Sequence, residues 1–136
     1  MTHRLSGKVL AFIRSQRVAR VATIGPDGTP HNVPVCIVFV SGRLYFASDK
    51  DARKVRNIRS HPTVALSFDR YSENWKHLAG VMVVGKGAVV DQGVAFRRVR
   101  QALYRKYKQY ARMAAIEAGQ SVIVSVTPTE TFSWGL

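Results

Sequence analysis

The chain has 136 residues, 46% of them hydrophobic, which predicts one soluble domain with a real core over residues 1–136. Its longest apolar runs, Val33 to Val40 and Val81 to Val84, fall far short of the roughly 20 residues that span a bilayer, so no membrane span is expected. A net charge of +13, from 21 Lys and Arg against 8 Asp and Glu, favours an anionic partner: nucleic acid, a membrane surface or a phosphorylated small molecule.

Leu5, Val9, Phe12 and Ile13 recur at helical spacing and predict an amphipathic helix over about residues 3–16. The opening Met1-Thr-His-Arg-Leu-Ser-Gly-Lys lacks the apolar stretch of a secretion signal, and Cys36 is the only cysteine, so a cytoplasmic location is expected. Flanked by Val35 and Ile37, Cys36 reads as a small buried hydrophobe. Val18 to Ile24 is rich in β-branched residues and stops at the turn Gly25-Pro-Asp-Gly. Pro30 to Val40 returns as its partner strand, with Pro30 and Pro34 unable to donate to a ladder. Ser41-Gly42 turns the chain into a third strand, Arg43 to Ser48.

Between Lys50 and Ser60 the period changes. Ala52, Val55 and Ile58 mark a short helix ended by His61-Pro62, with Ser48, Asp49 or Asp51 as candidate caps. Thr63 to Asp69 is a strand, Arg70 to His77 a polar loop, and Gly80 to Val90 a longer strand with Gly85 and Gly87 as bulge or bend points. A helix from Gln92 to Arg112 aligns Val99, Leu103, Tyr107 and Tyr110 on one face. Ser121 to Val126 is the last clear strand, and Thr131 to Leu136 closes the chain. About six strands, about three helices and hairpin connections predict a mainly β, α+β architecture: an antiparallel sheet or barrel with packed helices.

The usual enzyme motifs are missing. His3, His31, His61 and His77 show no metal-ligand spacing, so no metal site is expected. No nucleophile elbow, P-loop or Rossmann glycine pattern follows a strand, and eight scattered acids build no acid/base pair. What remains is Ser48-Asp-Lys-Asp-Ala-Arg-Lys-Val-Arg, where a strand delivers the chain to a helix N-terminus with Arg53 and Lys54 in the first turn. Free backbone N–H groups, the helix dipole and two cations favour a phosphate there; a solvated basic helix is the competing reading. A second basic run, Arg97 to Arg112, interleaves seven cations with Tyr104, Tyr107 and Tyr110, as nucleic-acid binders do. The tyrosines share the apolar stripe with Leu103, so core packing explains them better and nucleic acid is not the expected partner.

Taken in order, the stretch Val21 to Val35 (VATIGPDGTPHNVPV), LYFAS, DARKVRNIRSHPTVAL and the closing FSWGL resemble the pyridoxamine 5'-phosphate oxidase-like family, the flavin-binding split β-barrel, over about residues 5–135. The resemblance implies a six-stranded split barrel that works as a homodimer with cofactor clefts at the interface. It implies that Arg53 and Lys54 hold the cofactor phosphate, that Ala47 and Ser48 line it, and that the backbone of Val33, Pro34, Val35 and Cys36 runs beside the ring. Trp134 resembles the aromatic residue that approaches the cleft from the other subunit. Val33 and Val38 stand where pyridoxamine phosphate oxidases carry an arginine and a lysine for flavin mononucleotide (FMN), and their strand glutamine is replaced near Gly80. With the Tyr71 to Trp75 loop and the Lys106 to Tyr110 run, the pattern is similar to the deazaflavin branch that uses coenzyme F420. The implied function is hydride transfer between F420 and an organic small molecule. An FMN reductase or oxidase, and a non-enzymatic cofactor- or nucleic-acid-binding module, are the alternatives. No side chain is singled out as catalytic, although Tyr71, Trp75 and His77 sit in a loop suited to contacting substrate.

Overall fold

A computed structural model describes residues 3–136 and resolves them into seven strands and four α-helices. Helix α1 is Gly7–Ser15; the Ser6 hydroxyl caps it by accepting from the Val9 N–H at 3.3 Å. Strands β1 (Ala19–Ile24) and β2 (Pro30–Val35) form a hairpin around Gly25-Pro-Asp-Gly, where Gly28 adopts φ 85°. Strands β3 (Val38–Val40) and β4 (Arg43–Asp49) follow, then α2 (Arg53–Ser60), β5 (Thr63–Arg70) and a single 3-10 turn at Trp75–His77. Strand β6 (Ala79–Val90), α3 (Gly93–Lys106), the one-turn α4 (Tyr110–Met113) and β7 (Ser121–Trp134) complete the chain.

All seven strands belong to one antiparallel sheet ordered β2-β1-β5-β6-β7-β4-β3. Strands β2 and β3 are consecutive in the chain, separated only by Cys36 and Ile37, yet they occupy opposite edges. A flat sheet of this order would put its edges about 29 Å apart, at ~4.8 Å per strand. The Cα atoms of Val35 and Val38, however, can be no more than about 11 Å apart. The sheet therefore rolls until its edges are neighbours, and because β2 and β3 do not pair with each other it forms an open barrel with a seam at Cys36-Ile37.

The expected single strand Pro30 to Val40 is thus two strands, which raises the expected six to seven. The cause is a side chain far along the sequence. Tyr107 Oη accepts from the Ile37 N–H at 2.9 Å and lies 3.0 Å from the Ile37 carbonyl and 2.8 Å from the Arg17 carbonyl, while Lys106 Nζ donates to the Ile37 carbonyl at 2.8 Å. Ile37 finds its hydrogen bonds there rather than in a ladder. The same engagement ends α3 at Tyr107, short of the expected Arg112. Strand β7 runs on to Trp134, well past the expected Val126; Pro128 sits opposite Gly85, where the β6–β7 register shifts, so its missing donor falls where the ladder is already broken. A Cβ on Gly85 would lie 2.5 Å from the Thr127 carbonyl oxygen, so the expected bend at Gly85 is built on the absence of a side chain.

Val21, Leu44, Phe46, Leu66, Phe68 and Val124 fill the barrel, and α1 and α2 close over it with Phe12, Ile13, Val55 and Ile58. Helix α3 packs outside, setting Phe96, Val99 and Leu103 against Val38, Tyr45 and Ile123. It covers the exterior of β3, β4 and the start of β7. The rest of the exterior is bare: one row crosses five strands through Pro34, Arg20, Ser67, Met82 and Phe132.

Candidate functional site

Helix α2 is where the chain turns cations toward a concavity. Val55 and Ile58 face the barrel, which leaves Arg53, Arg56, Asn57 and Ser60, spaced i, i+3, i+4 and i+7, on the opposite flank. That flank and the β1–β2 turn enclose a cavity of about 620 Å³, with Pro30 and His31 on the far wall. Asn57 is buried and its amide donates to Thr23 Oγ1 at 3.1 Å, which fixes the helix to β1. The expected caps Ser48, Asp49 and Asp51 do not cap α2. Ala52 occupies the N-cap and no side chain bonds the first turn, because Ser48 Oγ donates instead to the Asp49 carbonyl at 3.0 Å. The helix N-terminus keeps its positive potential for a ligand.

The β1–β2 turn is rigid. The Gly25 N–H donates to the Thr29 carbonyl at 2.8 Å, and the Thr29 N–H donates to Asp27 Oδ1 at 3.0 Å. The Thr29 amide and hydroxyl hold the Asp27 carboxyl below its ordinary value, with the Arg53 guanidinium a smaller influence. Asp27 is therefore a fixed anion at the rim beside Arg53. Across the cavity, His31 Nδ1 is buried and without a hydrogen-bond partner.

The expected site residues are dispersed over three surfaces. Arg53 lines the cavity; Lys54 is its half-buried neighbour on α2. Ser48 and Ala47 lie at the end of β4 opposite Val122 and Ile123, with Ala47 against the α3 cluster. Val33 packs half-buried on the barrel core and Val35 is buried in it, whereas Pro34 is exposed on the outer face of edge strand β2. An edge strand accepts Pro30 and Pro34 because its free side needs no donors. Cys36 is half-buried at the seam. Trp134 lies on the same outer face as Pro34, four strands away, stacked on Gly80 and 5.7 Å from the Phe132 ring. A Cβ on Gly80 would fall inside the Trp134 ring, so this glycine makes the indole's bed. One chain does not bring Pro34 and Trp134 together, since four strand spacings separate them by about 19 Å.

Sequence reasoning missed His31, Arg56 and Asn57. A signal existed for Asn57, a polar residue beside the apolar pair Val55 and Ile58 in a helix too short to waste a buried position. The seam was missed too. There burial raises the Tyr107 and Tyr110 hydroxyls above their ordinary value and holds the Lys106 ammonium below its own.

The chain aligns over 98% of its length with a conserved hypothetical protein of Mycobacterium tuberculosis at 24% identity, covering 86% of that chain with a TM-score of 0.84. A heme storage protein of Vibrio cholerae gives 0.79 at 13% identity over 96% of this chain and 94% of that one. An F420 reductase gives 0.72 at 21% identity, covering 94% of this chain and 98% of that one. At such identities these likenesses establish the fold. Among proteins of curated function none matches the sequence. The family model described as pyridoxamine 5'-phosphate oxidase matches residues 5–135, and the chain belongs to that family.

Proposed function

We propose that this protein is an oxidoreductase that binds the deazaflavin coenzyme F420 and transfers hydride between it and a small organic molecule, working as a homodimer. The observation that carries the reading is the basic flank of α2, which turns Arg53 and Arg56 toward one cavity beside an uncapped helix start. Two guanidiniums and free backbone N–H groups suit the phosphate of such a cofactor, and Lys54 adds a point charge. Asp27 at the rim repels anionic groups that miss this cradle. Ser48 and the Ala47 backbone, which lie outside this cavity in one chain, would line the phosphate in the assembled cleft, and the backbone from Val33 to Cys36 would run beside the ring. Val33 and Val38 supply no cation for FMN, which favours the deazaflavin. An acidic tail beyond the phosphate would find a further cation in Arg59. The cofactor, when bound, supplies the hydride chemistry; the chain's residues bind it, orient it and exclude water.

The bare sheet face supports a second copy. Met82 and Phe132 lie in one row with Pro34, and Trp134 is in the next. Face-to-face pairing would cover Met82, Phe132 and Trp134 together with the Arg20–Asp69 pair that lies between them and Pro34, and carry the partner's Trp134 toward Pro34, closing the span that one chain cannot.

The test is titration of purified protein with F420, FMN and heme, followed by absorbance and by sedimentation for the dimer. Tightest binding of F420, lost in R53A/K54A, is the expected result. Preference for FMN would overturn the cofactor assignment, and binding of heme alone would overturn the oxidoreductase.

A further inference from the structure

The charge of +13 is far from evenly spread. Residues 3–26 and 92–116 contain no Asp or Glu, yet hold twelve of the 21 Lys and Arg. Among the described residues the one ion pair is Arg20–Asp69, on the bare sheet face, so the other eleven have no carboxylate partner. They are also mostly arginine, nine of the twelve.

The fold brings the two segments together along β3. Arg14 stacks over Phe39 of that strand, 5.4 Å from the ring centre, and Arg17 lies 4.9 Å from the Tyr107 ring centre. From the other side Arg98 Nη2 reaches Ser41 Oγ, 3.4 Å away, beside the exposed Arg43. Lys106 is held at the seam between them. Along α3, beyond its exposed first turn at Gly93, Val94 and Ala95, the exposed residues are Arg97, Arg98, Gln101 and Arg105, a solvent-facing stripe about 12 Å long from Arg97 to Arg105. The tyrosines, in contrast, turn inward: Tyr107 is buried and Tyr104 and Tyr110 half-buried.

We infer that this acid-free face, from the end of α1 across β3 to the outer stripe of α3, binds the phosphate backbone of nucleic acid without reading its sequence. Arginine forks match phosphate oxygens two at a time. With no exposed tyrosine on the stripe to stack bases, the contacts are electrostatic and sequence-independent. A membrane surface fits less well, because α3 spends its apolar side on Phe96, Val99 and Leu103 in the core and leaves only Val94, at its first turn, exposed to insert. The face is separate from the α2 cavity, since α2 packs on β1 and β6.

The experiment is fluorescence anisotropy of the full chain with a labelled random-sequence DNA duplex and a labelled single-stranded RNA, across a salt series, with phosphatidylserine vesicles in parallel. Binding that weakens steeply with salt is expected, with no preference among sequences. R98E/R105E should weaken it by at least about tenfold and flatten the log–log salt slope by about 2, while R53A/K54A changes it less than about twofold. The neutral pair R98Q/R105Q carries the same test if the reversals disturb folding, with a smaller loss in the same direction. Three results would each overturn the inference: no binding at low salt, equal loss on changing Arg53 and Lys54, or binding to vesicles alone.

Discussion

Helices α2 and α3 are both basic and amphipathic, but they spend their cations differently. Helix α2 turns Arg53 and Arg56 into a concavity walled by a rigid turn, and Asn57 anchors it through a buried hydrogen bond. Helix α3 faces Arg97, Arg98 and Arg105 outward from a convex surface with nothing opposite them. A concave pair of guanidiniums with a helix N-terminus suits one compact phosphate; a convex stripe suits an extended polyanion. The same residue types thus acquire different uses from the curvature on which they stand.

The largest effect expected from this contrast is on cofactor affinity. Replacing Arg53 and Lys54 together by alanine removes both first-turn cations of α2, each worth about 1.5–3 kcal/mol where it meets a phosphate. F420 affinity should fall by about a hundredfold or more in an equilibrium titration, with the dimer intact. R98E/R105E should leave that affinity unchanged within about twofold. Equal losses from the two pairs would erase the distinction between the helices.

Next in size is the part α3 plays in folding. Tyr107→Phe keeps the ring but strips the hydroxyl that serves Ile37 and the Arg17 carbonyl. The Ile37 N–H is then stranded in a buried site, at a cost of about 1–3 kcal/mol. Urea unfolding should show a lower midpoint at unchanged slope. A neutral result would mean that the seam is held by packing rather than by this hydroxyl.

These two regions also separate what the sequence discloses from what it conceals. Helix α2 was legible because its signals are local: the 52/55/58 stripe, the His61-Pro62 stop and adjacent cations. Strands β1, β4, β5 and most of β6 were equally plain, for their alternation and their bounding turns lie within a few residues. The split at Cys36-Ile37 was not legible, because the group that satisfies Ile37 lies 70 residues away. Nor was the extension of β7 to Trp134, since Pro128 reads as a stop until its partner, the register shift at Gly85, is known. Within the site, Arg53 and Lys54 could be found from their position at a helix start. His31 and Arg56 could not, as they meet only when the β1–β2 turn closes against α2.

A smaller effect appears at high pH. Tyr107 and Tyr110 keep their protons above the ordinary tyrosine value of 10.0, chiefly because burial disfavours the phenolate. The unfolded chain gives up those protons first, so their contribution to stability is complete below pH 10 and is lost as pH rises through the folded values. Lys106 acts in the opposite sense. Its folded pKa lies below 10.5, so the folded ammonium deprotonates first and stability rises through that window. Comparing the wild type with Tyr110→Phe isolates one tyrosine: the variant should lose less stability between pH 9 and pH 12, by chemical denaturation at each pH. Parallel curves would mean that Tyr110 titrates alike in both states.

The smallest expected effect is the most telling for the comparison. If the outward arginines of α3 served the fold, replacing Arg97, Arg98 and Arg105 by alanine would destabilise it. They pair with no carboxylate among the described residues, and the one side-chain bond of the three, Arg98 to Ser41, is long and exposed. Each substitution should therefore change unfolding free energy by less than about 0.5 kcal/mol. Because Arg105 sits among Lys106 and Lys108, removing it relieves like-charge repulsion, and any change should favour stability at low salt and fade as salt is added. A loss above about 1 kcal/mol per site would show that these cations are structural. Stability that stays level leaves Arg97, Arg98 and Arg105 with no work inside the molecule, as expected of cations that serve a partner outside it.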